Sequence, residues 1–488
     1  MTARFAVMAI LLSAGADFVD AQQVDFEATG SALKAAPADR QISAALRAVS
    51  PEKIHEDIQK LVAFKTRNTL SSMEADLPEG TGVTAAEEWL KSRYEAYSRE
   101  CGGCLEVKED TFIQQPPEIE SADGHSRITR PTKLTSIYAI LKGSDPVQAK
   151  RMYMVTGHYD SRATDVMDPR VDAPGANDDA SGTAVSMESA RVLSKLKFPA
   201  TLVFVTVPGE EQGLYGSRHL AQLARKEGWD LEGVLNDDIV GGNTTPGDEL
   251  QSKALVRVFS ENVPATASTD LVRRLLSIGA ENDSPSRELA REVLDVSRTY
   301  FPMRTDSSQL KPVMELRLDR YLRGGDHSSF NEEGFAAVRF TEWREDYNHQ
   351  HQTVRTEHGI EYGDLIQFDD FSYIANVARL NAATLATLAS APGSPNHVRM
   401  MTRNLDNSST IAWEAPDGAP VDTWYQVVWR ETAAADWQYG GKASSYGETV
   451  TGVEHAVTVP VSKDNVLFGI RACDTRGHCG AAVLPLPD

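Results

Sequence analysis

Cysteine is scarce in this chain, basic residues are outnumbered, and long apolar runs are missing. Only 4 cysteines occur in 488 residues, too few for a disulfide-dense miniature fold, and neither pair has two further ligands nearby to build a zinc knuckle. Lys and Arg number 49 against 70 Asp and Glu, giving a net charge of −21. Such a surface repels phosphate backbones, so nucleic acid is not an expected partner. No stretch reaches the ~20 uncharged apolar residues that cross a bilayer, so no spanning helix is expected. Hydrophobic residues at 41% and charged residues at 24% exclude collagen-like, fibrous and wholly disordered classes.

The first residues carry one Arg, an apolar run from Phe5 to Leu12, and Val19 and Ala21 before Gln22. This reads as a signal peptide over residues 1–21, and hence as a secreted or periplasmic protein. Export makes disulfides the default, so Cys101 with Cys104 in CGGC and Cys473 with Cys479 in CDTRGHC are expected to form structural bridges. Residues 22–45 form an extension that is a candidate for removal. The run EKIHEDIQKLVAFK then places Ile54, Ile58, Leu61, Val62 and Phe64 at helical spacing.

Apolar runs MYMVTGHYD, TLVFVTVPGEE and GVLNDDIVGG alternate with helix-period segments such as TAVSMESARVLSKLK and SRHLAQLARKEG. That alternation predicts an α/β fold, a central sheet flanked by helices, over residues 46–392, closed by a helix across Ser372–Leu388. At SAPGSPNHV the composition turns to Pro, Gly and Ser, and helical periodicity stops. Residues 396–488 hold short alternating runs, STIAWEA, WYQVVWRE, HAVTVPV and NVLFGIRACD, as expected of a small all-β sandwich. The pattern resembles a fibronectin type III domain, with Trp413, Tyr425 and Trp429 as core aromatics and a face available to another protein or a carbohydrate.

Acids and histidines crowd the ends of the apolar runs. His158 and Asp160 share one face of an extended segment, the spacing at which a carboxylate steers an imidazole ligand. Asp178 and Asp179 precede a helix, where either suits an N-cap. Glu210 and Glu211 emerge together from LVFVTV, and their mutual repulsion calls for a positive partner. Asp237 and Asp238 end another run, and His349 and His351 follow AAVRFTEW. Each pair is ambiguous alone. Together they offer imidazole and carboxylate without thiolate, the donor set of a hydrolytic zinc site rather than a structural one.

In order, the motifs GHYDS, GANDDASG, GEEQGLYGS, NDDIVGG, GGDHSSF and YNHQHQT resemble those of the di-zinc exopeptidases that include bacterial leucyl aminopeptidases, glutamate carboxypeptidase II and the glutaminyl cyclases. The resemblance covers roughly residues 50–390. It implies a mixed central sheet and two Zn²⁺ ions per chain: His158 and Asp238 on one, Glu211 and His351 on the other, and Asp178 bridging. It also implies Glu210 as general base, Asp160 as the group orienting His158, and peptides with a free N-terminus as substrates. Carboxypeptidase, dipeptidase and cyclase activities are the rivals. A non-catalytic binding protein on the same scaffold is disfavoured because every ligand position holds a competent residue. Two departures stand out. The family pattern H-T-x-x-D-T is here His351-Gln-Thr-Val-Arg, without its Asp, which leaves His349 as an alternative ligand. Tyr321 is the nearest candidate for oxyanion stabilisation, and His327 is read as structural support.

Overall fold

A computed structural model describes residues 31–117, 126–302, 310–403 and 405–488; the signal-peptide segment lies outside the described residues. The first helices are α1 (Arg40–Arg47), α2 (Pro51–Val62) and α3 (Val83–Glu100). The first two start where local chemistry favours it. The Asp39 carboxylate accepts from the amides of Gln41 and Ile42, and Ser50 caps a helix whose first residue is Pro51. The remaining helices are α4 (Ala180–Leu193), α5 (Tyr215–Glu227), α6 (Thr269–Ser277), α7 (Pro285–Tyr300), α8 (Asp326–Glu332) and α9 (Phe371–Ser390).

They flank an eight-stranded sheet built from β1 (Leu105–Gln114), β2 (Thr132–Leu141), β3 (Arg151–His158), β4 (Thr201–Val207), β5 (Asp230–Asp237), β6 (Leu255–Ser260), β7 (Lys311–Glu315) and β8 (Ala337–Glu342). Their spatial order is β1-β2-β4-β3-β5-β8-β6-β7. β4, β3, β5 and β8 run parallel, while β2 joins β4 and β6 joins β8 antiparallel. The sheet is therefore mixed, as the family resemblance implied. Every residue of β4 is buried, as required of a strand covered by helices on both faces. Because the four central strands are parallel, their C-terminal ends open on one edge, where α/β sheets gather their functional groups.

Backbone contact fixes that edge. A Cβ at Gly157 would lie 2.4 Å from the carbonyl carbon of Gly182, and one at Gly182 would lie 2.0 Å from the Asp237 carbonyl oxygen. Glycine at both positions lets the first turn of α4 sit directly on β3 and β5. The same contact brings the loop before α4 over the strand ends. Beside α4, α9 is buried along nearly its whole length against α4 and β3.

A short hairpin, β9 (Arg355–Glu357) with β10 (Ile360–Tyr362), precedes α9. The C-terminal region comprises β11 (Asn396–Met401), β12 (Ser409–Glu414), β13 (Trp424–Glu431), β14 (Tyr439–Lys442), β15 (Thr449–Thr451), β16 (Glu454–Val459), β17 (Val466–Cys473) and β18 (Leu486–Pro487). They form two sheets, ordered β15-β16-β12-β11-β18 and β14-β13-β17. Trp413, Tyr425 and Trp429 are buried in the core between them. Both expected disulfides form, Cys101 to Cys104 and Cys473 to Cys479.

The two regions meet across α7 through buried ion pairs. Arg430 reaches both oxygens of Asp283 at 2.7 and 2.8 Å, Arg291 holds the same carboxylate at 2.9 Å, and Trp437 donates to Glu288 at 3.1 Å. Arg471 adds contacts to Glu292 at 3.2 Å and Asp295 at 2.5 Å. The amino-terminal segment joins the same junction, well before residue 46. Leu33 donates its amide to the Gln438 carbonyl, Gly440 donates to Ser31, and the Leu33 side chain packs with Val428, Trp437 and Ala482. The described part of residues 22–45 thus makes contact with both regions.

Candidate metal centre

His158 ends β3, Glu210 and Glu211 follow β4, and Asp238 follows β5. Asp178 lies in the loop held over these ends by α4, and His351 in the loop after β8. The structure brings all of them into one site. Two groups of donor atoms result, each with every atom within 4.8 Å of the others: His158, Glu210 and Asp238, and Asp178, Glu211 and His351. Asp178 stands between the imidazoles, its Oδ1 3.1 Å from His158 Nε2 and its Oδ2 2.9 Å from His351 Nε2. Glu211 Oε1 lies 3.2 Å from His351 Nε2, and Asp238 Oδ2 lies 3.9 Å from His158 Nε2.

Both readings of the paired aspartates are realised, by different residues. Asp179 caps α4, accepting from the Gly182 amide at 3.0 Å and from the His158 amide at 2.9 Å, which frees Asp178 to face the site. Asp160 does more than touch His158. Its carboxylate accepts the amides of Glu210 at 3.3 Å and Glu211 at 3.2 Å and the hydroxyl of Thr69 at 3.0 Å, so it sets the course of the chain that carries both glutamates. His158 Nδ1 donates to the Asp160 carbonyl at 3.1 Å, leaving Nε2 aimed into the site.

The electrostatics are those of a site built for a cation. His158 Nε2 and Glu211 Oε1 are buried and make no well-aligned hydrogen bond, facing only the neighbouring donors Asp178 and His351 at 3.1 and 3.2 Å, a costly state for polar atoms unless an ion satisfies them. Among protein groups alone, the acids hold protons on the imidazoles. His158 is raised well above its ordinary pKa because contacts to Asp160 and Asp178 outweigh burial, and His351 is pushed up to about 10 by Glu211 and Asp178 against the effect of burial. Asp178 is correspondingly held well below the usual carboxylate range by the two imidazoles, despite its burial. Burial raises the Glu210 carboxyl well above its normal value, the direction that makes a glutamate able to accept a proton and return it near neutral pH. Two imidazoles and several carboxylates, with no thiolate, fit zinc.

Residues that the sequence did not flag hold this arrangement. Asp364 accepts the amides of Asn177 at 2.9 Å and Asp178 at 2.7 Å, fixing the backbone of the residue between the imidazoles. It supplies a carboxylate thirteen residues beyond His351, after the β9–β10 hairpin, where no H-T-x-x-D-T pattern could reveal it. Arg339 on β8 donates to Asp238 Oδ1 at 2.7 Å and to its carbonyl at 2.5 Å. Gln350 donates to Asp178 Oδ2 at 2.9 Å.

The other histidines fall elsewhere. His349 stacks on Phe368 at 3.7 Å and belongs to neither donor group, and His327 is buried with Nε2 2.9 Å from the Leu318 carbonyl. Asp237 is buried away from the site and accepts from Asn381 at 2.8 Å. Tyr321 is 75% exposed, its ring beneath the Arg317 guanidinium; Tyr347 is the tyrosine that lines the cleft over the donor groups. That cleft encloses about 630 Å³ and is open to solvent.

A family model, "Peptidase family M28", matches residues 136–370, the span that contains every donor. A protein of Pyrenophora teres f. teres described as a "Probable zinc metalloprotease" is 42% identical over 94% of this chain and 89% of its own length. A counterpart with the same description from Pyricularia oryzae is also 42% identical, over 94% of this chain and 87% of its own length. The chain belongs to peptidase family M28. Among solved structures, this M28 peptidase is similar to the LapA aminopeptidase of Legionella pneumophila, with 19% identity, a TM-score of 0.48, and coverage of 74% of this chain and 76% of that one. It is also similar to the aminopeptidase of Aneurinibacillus sp. strain AM-1, with 17% identity, a TM-score of 0.47, and coverage of 73% and 97%. The M28 peptidase is a zinc metallopeptidase with a mixed α/β fold. Among the described residues no helix is long and apolar enough to cross a membrane.

Proposed function

We propose that this M28 peptidase is an exported two-zinc aminopeptidase that removes N-terminal residues from peptides. The observation that carries the reading is Asp178, one carboxylate whose two oxygens face His158 and His351 separately at 3.1 and 2.9 Å. His158 and Asp238 with one Asp178 oxygen would hold one ion, and Glu211 and His351 with the other oxygen would hold the second. When bound, zinc supplies Lewis acidity, lowering the pKa of a coordinated water toward neutrality and polarising the scissile carbonyl.

The protein's own groups do the rest. Glu210, within 4.8 Å of the His158 and Asp238 donor atoms, takes the proton of the attacking water and returns it to the leaving amine. Asp160 holds the Glu210 amide and the His158 ring, so base and ligand keep one mutual geometry. With zinc bound, the carboxylate of Glu210 remains beside the ions as a hydrogen-bond acceptor for a free N-terminal amine, which supports aminopeptidase over carboxypeptidase action. Tyr347 replaces Tyr321 as the candidate to stabilise the oxyanion. The two disulfides and the leader-like residues 1–21 support export. The strand count and buried tryptophans of residues 396–488 support the fibronectin type III-like reading, with 46–392 as the peptidase unit.

A substrate panel tests this. Purified protein dialysed against chelator should lose hydrolysis of free-amine peptides and aminoacyl-anilides, and regain it at two equivalents of zinc per chain. Cleavage of N-acetylated peptides with a free carboxylate, or activity that survives metal removal, would count against it.

A further inference from the structure

Above the acidic floor, the cleft is rimmed by guanidinium groups: Arg127, Arg162, Arg320 and Arg323 all line it. This is unexpected on a chain of net charge −21, and at Arg162 and along the wall that carries Arg320 and Arg323 the positive charge is not fully balanced internally. Arg162 donates only to the carbonyls of Ala163 and Thr164 and has no ion-pair partner among the described residues. On the opposite wall, the single carboxylate of Glu345 serves Arg257, Arg320 and Arg323 at 3.0, 2.8 and 2.9 Å, and Asp319 is shared between Arg320 and Arg339. Arg339 also pairs with Asp238, a carboxylate assigned to the metal. The wall thus keeps more guanidinium than carboxylate charge, and Arg323, 32% exposed, presents it to the cleft.

We infer that this rim selects anionic peptides, in which a carboxylate lies on the residues just past the scissile bond. The inference rests on the exopeptidase reading above. Its logic is one of position: the free amine is held at the metal-bearing floor and a carboxylate at the arginine rim, so a short acidic peptide is bound in one orientation. Guanidinium pairs with carboxylate through two parallel hydrogen bonds, stronger and more directional than a lysine contact. Long-range repulsion by the acidic surface would slow the approach of such peptides, so the preference must come from these close contacts.

The test uses the zinc-loaded full chain with the amidated tripeptides Leu-Glu-Ala, Leu-Gln-Ala and Leu-Lys-Ala, and calorimetric binding of the same peptides to Glu210→Gln. The glutamate peptide should exceed the glutamine peptide about tenfold in kcat/KM, the scale of one charge-assisted contact, with the lysine peptide lowest. Arg162→Gln and Arg323→Gln should each pull the glutamate-to-glutamine ratio toward one, and Arg162→Lys should restore part of it. Equal rates across the panel, a preference for lysine, or a ratio unmoved by either substitution overturns the proposal. If no peptide of any charge is cleaved, the exopeptidase reading fails by itself; tighter binding of the glutamate peptide to Glu210→Gln would then still uphold the rim, and equal binding would sink it.

Discussion

The molecule buries charge in two places and treats it oppositely. At the junction between the α/β and β regions, Asp283, Glu288, Glu292 and Asp295 meet Arg291, Arg298, Arg430 and Arg471, so protein supplies both signs. At the strand ends, Asp178, Glu210, Glu211 and Asp238 converge with two imidazoles and leave buried atoms without hydrogen bonds. The first cluster is complete as folded. The second needs a cation from outside. Balanced burial marks an interface whose role is to hold, whereas unbalanced burial marks a site whose role is to bind.

The sharpest way to probe that contrast is at Glu210. Glu210→Gln should lower kcat by roughly 10²–10⁴-fold while leaving zinc content by mass spectrometry unchanged; loss of metal together with activity would make Glu210 a ligand rather than a base. At the junction, Asp283→Ala strands the buried Arg430 guanidinium and takes one of the two carboxylates from Arg291, and should cost about 3–5 kcal/mol in urea denaturation, with zinc stoichiometry intact. If that substitution lowered metal affinity instead, the two clusters would not be independent. A subtler change is Asp364→Asn, which weakens the acceptor holding the Asp178 backbone. It should reduce zinc affinity about 10- to 100-fold in chelator competition, with little change in unfolding midpoint for the metal-free protein.

The smallest effect concerns pH. Burial pushes the Glu288 carboxyl up to about 7, against the pull of Arg291. A carboxyl raised in the folded state stabilises it fully below the unfolded-state pKa of about 4.3. That contribution is lost as pH rises through about 7, because the unfolded chain gives up its proton first. Stability should therefore fall across this window with a slope of no more than ~1.4 kcal/mol per pH unit, and Glu288→Gln should flatten it. A slope unchanged by Glu288→Gln assigns the titration to another group.

Much of this was legible before any coordinates. The central strands announce themselves because their runs are wholly apolar, and the site because acids and histidines recur where those runs stop. The donors His158, Asp178, Glu211, Asp238 and His351 all meet, as does Glu210. What stayed hidden was whatever depends on partners distant in sequence. β1 reads as LEVKEDTFIQ and is half exposed, an edge strand whose charges mask its alternation. Asp364 and Arg339 carry no motif; only the fold reveals that one grips the Asp178 backbone and the other grips Asp238. Leu33 lies in an Ala-rich stretch without periodicity, and its place between Val428 and Trp437 could not be read locally.

That last contact bears on the order of assembly. A segment near the amino terminus completes the edge of a sheet whose strands are among the last to be synthesised, and the same segment leads directly into α1 against the peptidase helices. The seam between the two regions cannot close until nearly the whole polypeptide has been released, so its final locking is an act of the finished chain, accomplished after translation.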